Sequence, residues 1–457
     1  MIIRQWFLTI KQSFVDNTAQ SITSCFIVVM FGLFPCFFGV DGYANITWSK
    51  YLFLLVASGL YFFSLLIWWL RRIRQKESRL SLRSLPGLWQ KLSAVQRLLL
   101  GYALLMVLSA LASPYPHLVW WGEGRYEGLL TMLIYLAIFI AVSSFGRFKS
   151  WYLYVLLIPV CLNIILSLLQ LHGGNPLSLY PNNYDYFDGN VLYSGQFLGT
   201  IGNTGLLSAF LCLVIPAFIC YFIRQHTDRR SYALLAAAVI AAVIMFRSGV
   251  AAGMVALAVG ILVILPLFLP SRRARWIYVL LLIILLVALL LCLWQYEGDH
   301  VGLVGEAAAF VQGEADDSFG SGRIAIWKET LQLIQERPIL GGGPDTIGER
   351  LDLYFTREVD GIPTGYRTKV DMAHNDYLNI AANTGIPSLI LYVLALAISF
   401  VGWLKNSHDV AVLVCGAAVL CYCVQIFFSF SLCITAPLFW IFWGLLEQSL
   451  RQKKNAR

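Results

Sequence analysis

The chain has 457 residues, of which 59% are hydrophobic and 13% charged, and its formal net charge is +8. A soluble domain carries about 25% charged residues, so this composition excludes a large water-facing surface. The positive charge lies in connectors rather than in an aromatic-interleaved groove, so the chain is predicted to be a polytopic membrane protein without nucleic-acid binding.

The N-terminal segment MIIRQWFLTIKQSF is short and mixed in polarity, and no small-residue cleavage site follows the first apolar run. It is interpreted as an interfacial segment that precedes an uncleaved first span. The ten cysteines lie mostly within apolar runs, where they behave as small hydrophobes, and they form no His–Cys cluster of metal-binding spacing. Metal binding through thiolates is therefore not expected, and no cofactor is predicted.

Apolar runs predict an all-α fold of about 12 transmembrane helices. The runs cover 23–40, 51–70, 98–113, 128–144, 151–171, 199–222, 231–246, 249–269, 276–294, 385–404, 410–430 and 436–450. Basic residues concentrate in 71–91, 146–149, 224–230, 271–275 and the tail 451–457. All five segments fall on one side if both termini are cytoplasmic, which the positive-inside rule therefore predicts.

The remaining connectors are then external, at 113–127, 172–198, 245–249 and 295–384. The last one has about 90 residues, far beyond the usual connection length, so it is expected to have structure and a task of its own. This pattern predicts four parts: N-terminal spans (1–125), a membrane core (126–294), an external catalytic and acceptor loop (295–384), and C-terminal spans with a cytoplasmic tail (385–457).

The first polar candidate is Asn203, which lies in GTIGNTGLLSAF (199–210) at the external start of a span. Glycines in this segment allow close helix packing, which requires no ligand. Alternatively, the Asn203 carboxamide holds a substrate hydroxyl or a phosphate oxygen.

Arg247 and Ser248 lie in the tight turn FRSG (246–249), within an otherwise apolar stretch. An arginine at the bilayer centre costs about 2.5–3.5 kcal/mol, and less at the mouth of a hairpin. The charge indicates either a water-filled or anionic cavity, or an arginine that snorkels to the interface.

Arg323 precedes an amphipathic pattern, RIAIWKETLQLIQER (323–337), in which Trp327 belongs to the apolar stripe and Pro338 ends the helix. A cation in the first turn opposes the helix dipole, at about 0.3–1 kcal/mol, and a bound anion would reverse that cost. The alternative is a solvated arginine in an external loop.

His374 precedes a short predicted helix (376–383) that Asn375 can cap and Gly385 can end. Capping is a complete structural reason for Asn375. It gives no reason for His374, a titratable group at the membrane mouth.

Taken in order, the external motifs resemble those of the O-antigen ligase and O-antigen polymerase (Wzy-like) superfamily of bacterial membrane glycosyltransferases. They are RYEGLLTMLIYL (125–136), GTIGNTGLLSAF (199–210), FRSGVAAG (246–253), SGRIAIWKETLQLIQERPILGGGPDT (321–346) and AHNDYLNIAANTGIPSLIL (373–391). The resemblance covers Arg125 to Leu391, and the first spans match only in general character.

The resemblance implies a GT-C-like enzyme that moves a glycan from undecaprenyl diphosphate to an acceptor hydroxyl at the external face of the bacterial cytoplasmic membrane. It implies no nucleotide sugar and no metal. The family's histidine of the HN pair corresponds to His374, and its loop arginine to Arg323. Its hairpin arginine corresponds to Arg247, although the family order is Ser-Arg-Gly and this chain has Arg-Ser-Gly. Gly205 replaces an asparagine that is common after Asn203.

The resulting hypothesis makes His374 the general base for the acceptor, while Arg323 and Arg247 hold the diphosphate and the anomeric carbon inverts. Arg125, in WWGEGRYEG, is a further candidate for the donor or its glycan. Four residues complete the predicted substrate contacts: Asn203, Asn375, Ser248 and Trp327. Arg357 and Arg367 are alternatives in a polar segment where solvated charge is the default.

The same donor chemistry serves a ligase, a repeat-unit polymerase and a protein O-oligosaccharyltransferase, so the motifs do not separate them. A ligase or polymerase is favoured because no hydrophobic peptide-binding extension follows the last span. A lipid-linked glycan flippase or transporter would be expected to have mid-span ionisable groups or inverted repeats. A non-catalytic scaffold would leave the conjunction of His374, Arg323 and Arg247 unexplained.

Overall fold

The computed structural model describes residues 18–74, 90–180, 198–298, 302–314, 319–359 and 362–455. Within these ranges, seven helices are long and apolar enough to cross a membrane, and four shorter helices are apolar. The all-α membrane architecture is therefore confirmed.

The helices are numbered here in chain order. They are α1 (Thr18–Leu33), α2 (Ile46–Arg74), α3 (Ala94–Leu111), α4 (Leu129–Phe145), α5 (Trp151–Leu171), α6 (Thr204–Gln225), α7 (Ser231–Arg247), α8 (Ala251–Ile264), α9 (Arg272–Trp294), α10 (Gly302–Gln312), α11 (Phe319–Glu336), α12 (Ile347–Arg350), α13 (Asp376–Thr384), α14 (Ile386–Asn406), α15 (Val410–Gln425) and α16 (Ala436–Asn455).

Every predicted apolar run overlaps one of these helices, and two of the boundary differences have a clear physical cause. The run 23–40 ends as a helix at Leu33, where a π-helical turn precedes Pro35 and the buried Lys50 ammonium binds the freed carbonyls. The run 199–222 becomes helical only at Thr204, because Gly199 and Gly202 have positive φ values of 54° and 81° and form a turn. Both differences follow from backbone breaks that an average of hydrophobicity does not detect.

The centre of the bundle is formed by α6 and α15, which pack against each other and against α8, while α6 also packs against α7 and α15 against α16. Both helices are apolar around most of their circumference and are largely buried, as expected of helices surrounded by others. In contrast, none of the residues of α9 is buried, and its main neighbour is α10.

Contacts between helix termini define two opposite ends of the helix bundle. Ser109, near the end of α3, donates a hydrogen bond to the carbonyl of Asn383 (2.9 Å), in the last turn of α13, the helix that follows His374. The opposite end holds the start of α3 and the ends of α14 and α16. There Lys453 pairs with Asp409 at 2.8 Å. The described basic residues of the tail thus lie far from His374.

The long connector 295–384 contains α10, α11, α12, α13 and a β-hairpin. Strand β1 (Asp352–Val359) pairs antiparallel with β2 (Ile362–Lys369), with Asp352 opposite Lys369, and this hairpin was not predicted from the sequence. The predicted amphipathic helix is confirmed as α11, in which Gly322 has a positive φ of 81° and the regular part begins at Arg323. The division of the chain into four parts stays a prediction.

Candidate active site

The loop between β2 and α13 (370–375), called here the His374 loop, has an unusual backbone. His374 adopts a left-handed conformation with φ of 49°, which is uncommon for a residue other than glycine and is concentrated at functional sites. The next residue, Asn375, caps α13 by accepting hydrogen bonds from the amides of Tyr377 (3.0 Å) and Leu378 (3.1 Å). The predicted capping role of Asn375 is therefore observed, and it turns the chain sharply at His374.

Two neighbouring segments hold this loop in place. On one side, the Trp327 indole of α11 donates a hydrogen bond to the Ala373 carbonyl at 2.9 Å. On the other side lies the loop between α15 and α16. Its Ile426 carbonyl accepts a hydrogen bond from the Asp376 amide (2.9 Å), and its Ser431 amide donates one to the Asp376 carboxylate (3.3 Å). Trp327 thus has a structural role in this loop, and its contact with the substrate stays a prediction.

Charged groups converge on His374 from distant parts of the sequence. The Arg125 Nε lies 2.6 Å from Asp371 Oδ2, and its guanidinium lies 5.7 Å from the centre of the Phe430 ring. The His374 ring meets the same phenyl ring edge-on at 5.2 Å. Because both contact one ring, the two distances together keep the Arg125 guanidinium and the imidazole within about 11 Å of each other.

The surroundings of His374 set its protonation. Burial lowers the pKa of His374 to about 4, and the positive charges of Arg323 and Arg125 lower it further, while Asp371 opposes them. The imidazole is therefore neutral at pH 7 and has a lone pair available. The charges of Arg323, Arg125 and Asp371 all act on the pKa of His374. The predicted pair His374 and Arg323 therefore shares one electrostatic environment, which also includes Arg125 and Asp371.

Arg323 reaches this environment from α11. It lies just after Gly322, at the start of the regular part of the helix, and its side chain is partly exposed. The apolar stripe of α11 packs on the rest of the connector through Ile326, Leu333 and Ile334, which are each at most 9% exposed. Packing of that stripe directs the start of α11 towards the His374 loop.

Behind the His374 loop lies a small acidic cavity of about 50 Å³, with Glu127, Asp345, Asp371 and Asp376 among its lining residues. Such a volume can accommodate a few water molecules. Burial raises the pKa of Asp345 to about 6, against the hydrogen bonds that its carboxylate accepts from the amides of Glu123 (3.0 Å) and Glu127 (3.3 Å).

The other two buried carboxyl groups show the same effect. Burial raises the pKa of Asp376 to about 6. It raises the pKa of Glu127 well above its usual value, helped by the nearby Asp345. Glu127 accepts hydrogen bonds from Tyr135 (2.9 Å) and from the Cys433 amide, so it ties the segment before α4 to the loop before α16.

Asn203 is exposed at the start of α6, where its side-chain oxygen accepts from the Leu206 amide at 3.0 Å. That helix start adjoins the end of α15, because Gln425 Nε2 donates to the Gly205 carbonyl at 3.2 Å. Asn203 is therefore a cap on an element next to the loop that carries Phe430. Its side-chain amide nitrogen has no hydrogen bond to another described residue in the structure.

Arg247 and Ser248 are not brought to His374 in the same way. Arg247 is the exposed last residue of α7, and it is not among the charges that act on His374. The Ser248 hydroxyl donates to the Met245 carbonyl at 2.6 Å, within its own turn. The hairpin packs beside α6, since a Cβ on Gly253 would meet the Ser208 hydroxyl.

Arg367 is exposed and paired with Asp352, in agreement with a solvated charge. The Arg357 side chain lies outside the described residues. Among the side chains that the structure describes, no group of three or more His, Cys, Asp or Glu residues is arranged to hold a metal ion.

Asp371 and Phe430 belong to the site, but neither was predicted from the sequence. Asp371 was visible only as a carboxylate three residues before His374, a signal too common to select it. Phe430 gave no signal, because an apolar aromatic at the end of a predicted span is ordinary. Only the meeting of two loops separated by about 55 residues reveals it.

Comparison with known proteins agrees with the motif resemblance. Residues 236–393 match a protein family described as O-antigen ligase, and this range includes Arg247, Arg323 and His374. The match confirms, over those residues, the predicted resemblance to the O-antigen ligase and Wzy-like superfamily. No curated protein shows significant similarity to the chain.

Proposed function

We propose that this protein of the O-antigen ligase type is a membrane glycosyltransferase that moves a glycan from undecaprenyl diphosphate to an acceptor hydroxyl. The observation that carries the proposal is the convergence of Arg323, Arg125 and Asp371 on a neutral His374 at one end of an apolar bundle. Two cations beside an uncharged imidazole suit a reaction in which an anion departs as a proton is removed.

In the proposed step, the acceptor oxygen forms a bond to the anomeric carbon as the bond to the diphosphate oxygen breaks. The electron pair of the broken bond goes to the departing diphosphate, and the acceptor proton goes to a nitrogen of His374. The configuration at the anomeric carbon inverts. A general base of this kind typically contributes about 10²–10⁴-fold to the rate.

Arg323 and Arg125 are proposed to hold the diphosphate. Each charge-assisted hydrogen bond contributes about 1.5–3 kcal/mol, so each arginine can stabilise the developing charge substantially. Arg125 is paired with Asp371 at 2.6 Å, and the donor would have to replace that carboxylate. As the diphosphate neutralises the arginines, the pKa of His374 rises and the imidazole becomes a stronger base.

Three further predicted contacts stay part of the proposal. Asn203 offers a side-chain amide beside the loop that carries Phe430. Arg247 and Ser248 would contact the donor away from the reacting atoms, at its lipid or its glycan. The protein would act at the external face of the bacterial inner membrane, with both termini in the cytoplasm, as its basic connectors predict.

The test is reconstitution of the purified chain in liposomes with a lipid-linked oligosaccharide and candidate acceptors. Transfer to a finished glycolipid indicates a ligase, and transfer to a second lipid-linked unit indicates a polymerase. Movement of intact lipid across the bilayer without transfer would refute the enzyme proposal in favour of a flippase.

The arginine roles are tested with Arg323→Gln and Arg247→Gln, compared with Arg272→Gln as a matched control. Arg272 is exposed at the start of α9, at the basic end of that helix. Loss of one diphosphate contact is expected to lower kcat/KM for the donor by about 10- to 150-fold. If Arg247→Gln behaves like the control, Arg247 does not contact the donor.

A further inference from the structure

A groove of about 840 Å³ lies at the end of the bundle opposite to His374. It is formed by the start of α3 and by the last turns of α14 and α16. Its charged lining consists of Lys91, Arg97, Arg451, Lys453, Lys454 and Glu447. Five cations thus face one carboxylate, in a groove that the proposed glycan transfer does not use.

Two of the cations already have partners. Arg451 donates to the carbonyls of Ser143 and Lys91, each at 3.2 Å, and so joins the ends of three helical segments. Lys453 pairs with Asp409 at 2.8 Å. These two side chains therefore form the wall of the groove and are not counted as cations available to a ligand.

The other three cations remain available. Lys91, Arg97 and Lys454 are exposed, and none of them is within ion-pair distance of a carboxylate in the part of the chain that the structure describes. Glu447 is only 5% exposed and is hydrogen-bonded to Ser93, and its carboxylate interacts electrostatically with Arg451 and Lys454, so it offsets one of the five positive charges. The groove therefore presents an excess of positive charge.

Arg97 gives the strongest indication of an anionic ligand. It lies in the first turn of α3, where the helix dipole is positive and a cation is unfavourable. Ser93 and Gln96 form a capping box, which leaves the amides of Ala94 and Val95, also in the groove lining, without intrahelical acceptors. An anion in the groove would complement both the arginine and the helix start.

The groove is also amphiphilic. Ile398 and Leu450 line it together with the cations, and Ile398 is 42% exposed on a helix apolar enough to cross a membrane. A soluble phosphate would leave this apolar part uncovered, whereas a lipid has acyl chains to cover it. Basic grooves between helices at the cytoplasmic side of a membrane are suited to anionic headgroups.

We propose that this groove binds the headgroup of an anionic phospholipid, whose phosphate meets Arg97, Lys454 and Lys91 while its acyl chains cover Ile398 and Leu450. The site is separate from the proposed glycosyl-transfer site and does not depend on it. Its ligand comes from the membrane leaflet at the basic end of the bundle.

The experiment titrates the purified full-length chain, in neutral detergent, with fluorescent phosphatidylglycerol and phosphatidylcholine of identical acyl chains. Phosphatidylglycerol is expected to bind at least tenfold more tightly. Arg97→Gln combined with Lys454→Gln should weaken it about 25-fold, at about fivefold per cation, and leave phosphatidylcholine unchanged. The matched control, Arg272→Gln with Arg273→Gln, removes the same charge from the exposed start of α9 and should change binding less than twofold.

Equal binding of the two lipids would overturn the proposal, and so would an equal loss in the control variant, which would indicate a general charge effect. Displacement of phosphatidylglycerol by inorganic phosphate at an equal concentration would show a soluble-phosphate site instead. If the double variant melts at a lower temperature than the wild type, Lys91→Gln replaces it, with an expected fivefold loss. Glycan transfer is not the readout, so failure here leaves the proposed function untouched.

Discussion

Replacing His374 by asparagine tests the proposed base directly. Asparagine tolerates the left-handed backbone conformation (φ of 49°) that His374 adopts, whereas alanine would strain it. The variant therefore removes the titratable nitrogen with little change to the loop. The adjacent Asn375 cap is preserved.

The expected loss of turnover follows from the site. Because burial and two arginines lower the pKa of His374 to about 4, nearly all of the wild-type protein carries the neutral base at pH 7. Removing it should cost the full contribution of a general base, about 10²–10⁴-fold or about 2.7–5.5 kcal/mol. The edge contact with Phe430 contributes only about 0.5–1.5 kcal/mol, so the melting temperature should change little.

The assay is single-turnover transfer from a lipid-linked oligosaccharide in proteoliposomes, with melting temperature measured on the same preparations. Phe430→Leu is the control, because it removes the ring that His374 contacts and leaves the base. We expect it to lose less than tenfold. Turnover of His374→Asn within tenfold of wild type, or an equal loss in Phe430→Leu, would refute the base assignment.

Three further outcomes are expected. The acid limb of the donor kcat/KM should lie near pH 4 rather than near the pH 6.5 of an ordinary histidine, because the pKa of His374 in the free enzyme is lowered to about 4. The acid limb of kcat should lie at a higher pH than that of kcat/KM, because bound diphosphate neutralises the arginines and raises the pKa of His374. Limbs at the same pH in a pH–rate series would contradict this. Asp371→Asn should free Arg125 and lower the donor KM by up to about fivefold, with little change in melting temperature, because this half-exposed ion pair contributes at most about 1 kcal/mol. A raised KM would count against competition between Asp371 and the donor diphosphate for Arg125. Gly341→Ala should destabilise the protein by at least about 2 kcal/mol, seen as a lower melting temperature, because a Cβ at φ of 64° would lie 2.4 Å from the Asn383 carbonyl carbon.

Local pattern was sufficient for much of the fold. Apolar length located the spans, and the amphipathic period located α11 from Arg323 onwards. Asn375 and Gly385 marked the ends of α13 correctly, since capping chemistry depends on neighbouring residues alone. The β-hairpin was not predicted, because its strands carry mixed polar and apolar residues without a clear alternation.

The candidate site was recognised only in part for a similar reason. His374 and Arg323 stand in motifs that the sequence displays, and the structure finds them in one electrostatic environment. Arg247 stands in an equally visible motif, yet it is exposed at the end of α7 and does not act on His374. A motif identifies the residue type at a position, and it does not identify the partner.

The sequence by itself determined that the chain partitions into a membrane, which segments form helices, and which residues have reactive side chains, because these properties depend on composition and short-range order. Only the tertiary structure decided that Arg125, Asp371 and Phe430 surround His374, and that burial keeps this histidine neutral. Lipid tails are as apolar as the helix surfaces, so hydrophobicity does not select which helices become neighbours. That choice depends on close packing and on hydrogen bonds between residues far apart in the chain, such as the one from Ser109 to the Asn383 carbonyl.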